Sequence, residues 1–346
     1  MTRAWTCSSP ISGPEEVRLD LLRYFLPIAP KLAQVEAELQ RTLQSELPVV
    51  KRLAGHVGSG KGKRLRPALV LLCSRLCGVD SQEDVRFAAV FELVHTATLV
   101  HDDVIDHAPT RRSRPTLNAL WGNTLTVLFG DLLYMHSMSS AIAGRSFRML
   151  EILAEVTTRM IEGELIQNDF LFNLETTRKE YFEIQERKTA LLFSGCTETA
   201  GVIAQRPQAD CEALRRFGLE IGRAFQLVDD LLDYTGTSAQ MGKPVFSDLH
   251  EGKLTLPLLT LMERAPGDVR PIIQRIWEAG EETPITPADE QALRRLLENH
   301  DAYAETRVLA RKASQSATAA LTSLDGDKAT KKLLLEIPEF LLERSS

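Results

Sequence analysis

The stretch Asp102-Asp103-Val104-Ile105-Asp106 recurs as Asp229-Asp230-Leu231-Leu232-Asp233, and both copies lie where apolar residues recur every three or four positions. That period is typical of an α-helix. Residues four apart share a helix face, so the first and last aspartates of each copy point the same way. Crowded carboxylates repel one another unless a hard cation such as Mg²⁺ takes their oxygens as ligands. The repeated pattern therefore predicts a divalent-cation site.

The residues around the two clusters decide whether they face solvent or an interior cleft. A solvated acidic helix turn is the ordinary interpretation of one such cluster. The flanking segments 91–101 and 222–228 are too apolar for a solvated face. We therefore expect both clusters to face one interior cleft.

The whole chain has the pattern of an all-α protein, because strand and hairpin signals are sparse. No linker or repeat marks a boundary, so we predict one domain over residues 1–346, with 1–14 as a flexible N-terminal segment. Helices are predicted at 15–54, 66–78, 83–107, 115–143, 147–171, 178–204, 210–235, 254–264, 269–279, 287–299, 301–324 and 328–342.

Composition excludes several classes of protein. The chain has 346 residues and a formal net charge of −6, which argues against general binding of nucleic acid. No apolar run is long enough for a signal peptide or a membrane span, so no stable membrane insertion is expected. The five cysteines form no Cys-x-x-Cys pair, and we expect reduced, packed thiols and a cytoplasmic location.

A basic segment, residues 58–67, combines three glycines with four cations just before Pro67. Glycines allow backbone N–H groups to approach an anion, arginine offers a planar fork, and a helix N-terminus adds its dipole. Phosphate is the expected partner, although a solvated basic turn is the ordinary alternative. The segment also meets most of the P-loop pattern, but Gly62 stands where Ser or Thr is needed, and no strand precedes it.

Six blocks, taken in order, resemble the trans-polyprenyl diphosphate synthases of the long-chain, octaprenyl type. The blocks are Lys63–Pro67, Leu99–Asp106 followed by Arg111-Arg112, Gly163–Gln167, Lys188–Ala190, Phe225–Asp233, and Gly242–Pro244 through Glu251–Lys253. The resemblance covers roughly residues 50–260. It implies a large helical bundle around a deep central cavity, usually paired as a homodimer. It also implies an enzyme that condenses isopentenyl diphosphate with an allylic diphosphate.

The resemblance also implies a role for each matched residue. Mg²⁺ is assigned to Asp102 and Asp106 of the first cluster and Asp229 of the second, with Asp103 as a further ligand and Asp230 and Asp233 in support. These six aspartates, Lys188 and Lys243 form the expected catalytic set. The allylic substrate is assigned to Arg111, Lys188, Thr189, Gln226, Lys243 and Lys253. Isopentenyl diphosphate is assigned to Lys63, Arg66, His95 and Arg112.

Each of these basic and polar residues, taken alone, is more often an exposed lysine, a helix cap or a satisfied core histidine. The sequence also departs from the family pattern at two places. Lys61 replaces a usual glycine, and Phe246-Ser247 stands where a glycine and an acid are common. We expect altered loop packing there and retained chemistry, because no matched aspartate or lysine is missing.

Product length depends on the residues that precede the first cluster. Ala97 and Thr98 are small where short-chain relatives tend to place aromatic residues, so the resemblance favours a heptaprenyl to decaprenyl product. Phe91, Met160 or Phe170 could close the tunnel instead and give a geranylgeranyl or farnesyl product. Ionisation-type terpene cyclases and a non-catalytic partner subunit are the competing classes. The second aspartate cluster argues against a terpene cyclase, and the matching basic residues argue against a non-catalytic subunit.

Overall fold

The computed structural model of the chain describes residues 23–59, 62–111, 114–236, 244–280 and 283–343, and the all-α prediction is confirmed within these ranges. The longer helices are α1 (Ala29–Thr42), α2 (Pro48–Gly58), α3 (Leu65–Leu76), α4 (Gln82–Ile105), α6 (Asn123–Ala143), α7 (Phe147–Asp169), α8 (Arg178–Gln185), α9 (Leu191–Ile203), α10 (Gln208–Thr235), α12 (Leu256–Arg264), α13 (Pro266–Glu278), α14 (Pro287–Asn299), α15 (Ala302–Ala320) and α16 (Lys328–Glu343). Two short helices are α5 (Leu117–Trp121) and α11 (Ser247–His250). Among the described residues, none of the helices has the length and apolar composition of a membrane span.

The predicted helix 15–54 is wrong in its described part, from residue 23 onward. A 3-10 helix at Leu26–Ile28 leads into α1, which ends at Thr42, and α2 begins separately at Pro48. Proline lacks the N–H that a helix interior needs but suits the first helical turn. The prolines therefore start helices here.

The predicted helix 115–143 is divided at Gly122, whose φ of 81° ends α5 and precedes α6. That backbone conformation favours glycine. A small antiparallel hairpin before it, β1 (Thr110–Arg111) and β2 (Arg114–Pro115), was absent from the prediction. Each strand has only two residues, which is too short to show an alternating pattern in the sequence.

The predicted helix 178–204 is helical along its length but changes its winding. Between α8 and α9 lies one π-helical turn, Glu186–Ala190. Two glycines of neighbouring helices press against this turn. A Cβ at Gly163 of α7 would lie 2.8 Å from Arg187 Cβ, and a Cβ at Gly222 of α10 would lie 2.5 Å from Ala190 Cα. The turn is thus held closely between α7 and α10.

The apolar core consists of two clusters that share α10. The N-terminal half of α10 contributes Leu214 and Phe217 to a cluster built largely from α3, α4, α6, α7 and α9. Its C-terminal half contributes Leu231 and Tyr234 to a cluster with α12 to α15. Burial on both sides fixes the rotation of α10, which carries the second aspartate cluster at its C-terminal end. The one-domain assignment stays a prediction.

The described cysteines are free thiols: Cys73, Cys77, Cys196 and Cys211. Burial raises the pKa of each thiol, which makes a structural cysteine unreactive. This agrees with the prediction of packed, reduced thiols. Cys7 and the N-terminal segment 1–14 lie outside the described residues.

Candidate functional site

Both aspartate clusters lie at the C-terminal ends of long helices. Asp102 and Asp103 are in the last turn of α4, and Asp106 is its C-cap residue. The second cluster occupies the last two turns of α10. A helix C-terminus carries partial negative charge, which makes crowded carboxylates there more costly and increases their need for cations.

The Asp103 carboxylate is buried and answered by an arginine. Its Oδ1 accepts a hydrogen bond of 2.6 Å from Nε of Arg111, on β1. Burial raises the pKa of Asp103, and Arg111 opposes that effect. The hairpin that follows α4 therefore places the Arg111 guanidinium beside the first aspartate cluster, and Asp103 fixes its position.

The Asp102 carboxyl is half-buried, and burial raises its pKa to about 6. Lys188, on the π-helical turn, lowers this pKa, whereas Glu164 and Asp106 raise it. Lys188 Nζ lies 2.6 Å from Oε2 of Glu164 on α7. The π-helical turn thus places the Lys188 ammonium close enough to the first cluster to affect Asp102.

Lys253 connects the first cluster with the loop that follows the second. Its Nζ donates to Oδ1 of Asp106 at 3.2 Å, across 147 positions of sequence, and to Oε2 of Glu251 at 2.6 Å. Burial alone would lower the pKa of Lys253, but Glu251, Asp106 and Asp248 outweigh it and raise the pKa. The two halves of the site therefore meet at Lys253.

Asp230 is fully enclosed and its two oxygens are both engaged. Oδ2 accepts from the Tyr181 hydroxyl at 2.5 Å, and Oδ1 accepts from Nε2 of Gln226 at 2.8 Å. Burial, reinforced by the nearby Asp248 carboxylate, raises the pKa of Asp230 to about 8. Gln226 Oε1 accepts in turn from the Thr189 hydroxyl at 3.0 Å. This chain of hydrogen bonds joins α8, the π-helical turn and α10.

Asp229 and Asp233 share a helix face, but their surroundings differ. Asp229 is half-buried. Asp233 is 1 % exposed and accepts hydrogen bonds from the Ser247 hydroxyl at 2.7 Å and from the backbone N–H of Asp248 at 3.3 Å. The last aspartate of the second cluster therefore anchors α11 and the loop that leads to Lys253.

A cavity of about 180 Å³ lies beside the second cluster. Polar groups at one side of it include Lys188, Gln226, Asp230, Asp248 and Lys253. Phe170, Leu171, Ile184 and Leu254 supply apolar lining. The arrangement combines cations, carboxylates and apolar surface in one pocket, which suits an anionic head group with a hydrocarbon tail.

The donor chemistry of the clusters fits a hard divalent cation, because the side-chain ligands on offer are carboxylate oxygens. Within the described ranges, no three acidic, histidine or cysteine side chains converge to bind a metal ion by themselves. Such a site suits an ion that takes its remaining ligands from water and from substrate phosphates, as Mg²⁺ does in proteins.

The described residues predicted to bind isopentenyl diphosphate lie just before α3, in its first turn and on α4. Lys63 precedes α3, and Arg66, in its first turn, stacks its guanidinium 4.6 Å from the centre of the Phe193 ring. His95 is half-buried on α4. Arg112 and Lys243, which were also predicted as site residues, lie outside the described residues.

The candidate chain-length residues lie on α4. Ala97 is buried, and Thr98 is half-buried and donates its hydroxyl to the backbone oxygen of His95 at 2.8 Å. Phe91 and Met160 are buried in the same core cluster as Ala97. Phe170 instead lines the cavity beside the second cluster.

Several residues of the site were missed from the sequence: Tyr181, Glu164, Ser247, Asp248 and Glu251. Glu164 and Glu251 stood in matched blocks, and Asp248 lay within the span of the last block, but none of the three was given a role. Tyr181 is two helical turns before Lys188, a spacing that places both on one face of a regular helix. No sequence pattern revealed the π-helical turn between them.

Comparison with known proteins identifies related sequences and structures. Residues 48–293 match the family described as polyprenyl synthetase. The octaprenyl diphosphate synthase of Escherichia coli is 36% identical over 252 residues, 73% of this chain and 78% of that protein. A short chain isoprenyl diphosphate synthase of Methanothermobacter thermautotrophicus is 30% identical over 331 residues, 94% of this chain and 98% of that protein.

Solved structures give the same result. A decaprenyl diphosphate synthase from Rhodobacter capsulatus matches with a TM-score of 0.87 and 36% identity, over 94% of this chain and 99% of that one. A polyprenyl synthase from Caulobacter crescentus, complexed with calcium and isoprenyl diphosphate, matches with a TM-score of 0.87 and 33% identity, over 98% of this chain and 100% of that one.

The Tyr181→Phe variant tests the buried hydrogen bond to Asp230. We expect the free energy of unfolding to fall by about 1–3 kcal/mol, because a buried carboxyl oxygen loses its donor. Urea denaturation of the purified protein measures the change. Tyr303→Phe is the matched control: the Tyr303 hydroxyl is buried and has no hydrogen-bond partner among the described residues, so its removal should leave stability unchanged or improve it. Equal effects of the two variants would contradict the assigned role of Tyr181.

Proposed function

The chain belongs to the polyprenyl synthetase family and is a prenyltransferase, and we propose that it condenses isopentenyl diphosphate with an allylic diphosphate to make a long-chain all-trans polyprenyl diphosphate. The observation that carries this proposal is the contact of Lys253 with Asp106 at 3.2 Å. It brings the first cluster against the loop that follows the second, which supports a single space shared by carboxylates of both helices. Carboxylates together with a lysine suit the binding of two diphosphates and their metal cations.

We assign the allylic diphosphate to the space between the clusters. Arg111, Lys188 and Lys253 lie there, each beside a carboxylate that holds it in place. Thr189 and Gln226 add neutral donors, and Gln226 is oriented by Asp230. Arginine and lysine side chains stabilise negative charge that develops on a departing diphosphate. Lys243, which lies outside the described residues, is assigned to the same substrate from the sequence.

Magnesium is the proposed cofactor, with Asp102, Asp106 and Asp229 as ligands and Asp103 beside them. When bound, the metal supplies Lewis-acid stabilisation of the diphosphate leaving group. Asp230 and Asp233 support the site by orienting Gln226 and the loop of Ser247. The related polyprenyl synthase from Caulobacter crescentus, complexed with calcium and isoprenyl diphosphate, supports a divalent cation in this role.

Isopentenyl diphosphate is assigned to Lys63, Arg66 and His95, with Arg112 from the sequence. Ionisation breaks the allylic C–O bond, and the isopentenyl double bond then attacks the cationic carbon. The adduct then loses a proton to the released diphosphate, and the electron pair of the broken C–H bond forms the new double bond. The basic residues hold both diphosphates so that these carbon atoms meet.

A long product is proposed because Ala97 and Thr98 offer little bulk along the path of the growing chain. The octaprenyl and decaprenyl relatives support this length, whereas the short-chain relative, at 30% identity, supports the alternative of an earlier stop. Phe91 and Met160, which lie in the same core as Ala97, and Phe170, which lines the cavity, are the candidates for that stop.

A homodimer is the proposed assembly. Helix α6 exposes Leu128, Met135 and Ile142, each 58 % exposed and seven positions apart. Residues at this spacing form a nearly straight stripe along one helix face. A second copy of the chain would cover it. A cytoplasmic location is proposed from the free thiols, which persist in a reducing compartment.

The first experiment incubates the purified chain with Mg²⁺, radiolabelled isopentenyl diphosphate and farnesyl diphosphate, and then separates the dephosphorylated products by length. We expect a series of products that ends at a heptaprenyl to decaprenyl alcohol. Lys253→Ala should lower kcat/KM for the allylic substrate by about 100-fold, because a cation that stabilises the leaving group is lost.

Lys328→Ala, at the start of α16, is the matched control and should retain full activity. Absence of product with any allylic primer would refute the autonomous enzyme. It would point to a partner subunit, as the similarity to component 2 of a heptaprenyl diphosphate synthase from Geobacillus stearothermophilus also suggests.

The Ala97→Phe variant tests the path of the growing chain. Ala97 lies about 7 Å along the helix axis from Asp102, at 1.5 Å per residue. An aromatic ring there should stop elongation after the first few isoprene units and give a product of farnesyl to geranylgeranyl length in the same assay. Ala143→Phe, at the exposed C-terminal end of α6, should leave product length unchanged. An unchanged product from a folded Ala97→Phe protein would place the path elsewhere.

The Met135→Glu variant tests the proposed homodimer. Light scattering after size-exclusion chromatography should give about twice the 38.6 kDa chain mass for the wild type and a single chain mass for the variant, since a buried carboxylate without a partner destabilises an interface. Val308→Glu, on an exposed part of α15, should remain dimeric. A monomeric wild type would refute the proposal.

A further inference from the structure

Arg64 has an unusual backbone conformation for a residue with a side chain. It is the N-cap residue of α3, with φ of 51° and ψ of 29°. The left-handed region is unfavourable for residues other than glycine and asparagine, and helix N-caps are ordinarily extended. Such a conformation persists only when surrounding contacts enforce it.

The Arg64 side chain supplies those contacts. Its guanidinium reaches Glu36 of α1 through Nε at 2.5 Å and Nη2 at 3.1 Å, which is a bidentate pair. Nη1 donates to Oε1 of Glu92 on α4 at 2.6 Å. Glu92 is 5 % exposed, so this second carboxylate is buried. All three guanidinium nitrogens are therefore engaged with acidic residues of two other helices.

The backbone at Gly62 lies close to the same guanidinium. A Cβ added at Gly62 would lie 3.0 Å from Arg64 Nη1 and 3.5 Å from Oε1 of Glu92. The ion cluster of Glu36, Arg64 and Glu92 thus fixes the course of the chain from Gly62 into α3. Lys63 is immediately before this fixed residue, and Arg66 is in the first helical turn after it.

We propose that Arg64 is a positioning residue for the isopentenyl diphosphate site: anchored by Glu36 and Glu92, it holds the left-handed turn that directs Lys63, Arg66 and the N-terminus of α3 toward one diphosphate. This inference rests on the proposed function, which assigns Lys63 and Arg66 to that substrate. Arg64 acts through the backbone in this proposal, because each of its three guanidinium nitrogens already donates to a carboxylate. Its loss should therefore weaken one substrate site and spare the other.

The test compares kinetic constants for the two substrates. Arg64→Lys keeps the charge but loses the planar fork, so the bidentate pair cannot form. We expect KM for isopentenyl diphosphate to rise at least tenfold, with KM for farnesyl diphosphate within twofold of the wild type. Glu36→Gln removes only the outer carboxylate and should give a smaller rise of the same kind. If Arg64→Lys fails to fold, the Glu36→Gln variant still tests the positioning role.

Glu38→Gln is the matched control, since Glu38 lies on the same helix and pairs with the exposed Arg41. It should change neither constant. Lys63→Ala in the same assay tests the substrate assignment itself. The positioning role alone is overturned if the wild type is active but the Arg64→Lys and Glu36→Gln variants leave KM for isopentenyl diphosphate unchanged. It is also overturned if these variants raise the KM values for both substrates equally. A wild type without activity, or a normal Lys63→Ala variant, overturns the proposed function on which it rests.

Discussion

The organisation of the site follows from one electrostatic constraint: each of two helices carries three aspartates at its C-terminal end, where the helix dipole is already negative. Opposite charge must come from elsewhere in the chain. It comes from Arg111 on the hairpin that follows the first cluster, Lys188 on the π-helical turn and Lys253 after α11. These three elements are thus placed so that a cation reaches the carboxylates.

The two copies of the aspartate pattern have similar sequences, but the corresponding aspartates do not all have the same kind of contact. In each copy the second aspartate is buried and fixes a group proposed to bind substrate: Asp103 holds Arg111, and Asp230 holds Gln226. The last aspartates differ. Asp106 meets Lys253 in the site, whereas Asp233 is buried and anchors the loop that leads to Lys253. A repeated motif therefore yields both candidate ligands and internal supports.

The sequence alone was sufficient for the helical class and for the aspartates that meet the cations, because period and charge are local properties. It could not show the π-helical turn, whose close contacts with Gly163 and Gly222 come from other helices and are not visible in the local sequence. Tyr181 was missed for the same reason, since its partner Asp230 lies 49 positions away. The predicted helix 15–54 failed through a local rule, the preference of proline for a first helical turn.

The ion cluster of Glu36, Arg64 and Glu92 extends the same reasoning to the second substrate. The residues assigned to isopentenyl diphosphate are cations and one histidine, so the positive groups repel one another before substrate binds. Charge repulsion would disperse Lys63 and Arg66 if their backbone were free. A half-buried arginine held by two carboxylates gives the chain a fixed course there, and its guanidinium offsets the charge of both acids. Arg66 rests on the Phe193 ring, a support that adds no negative charge.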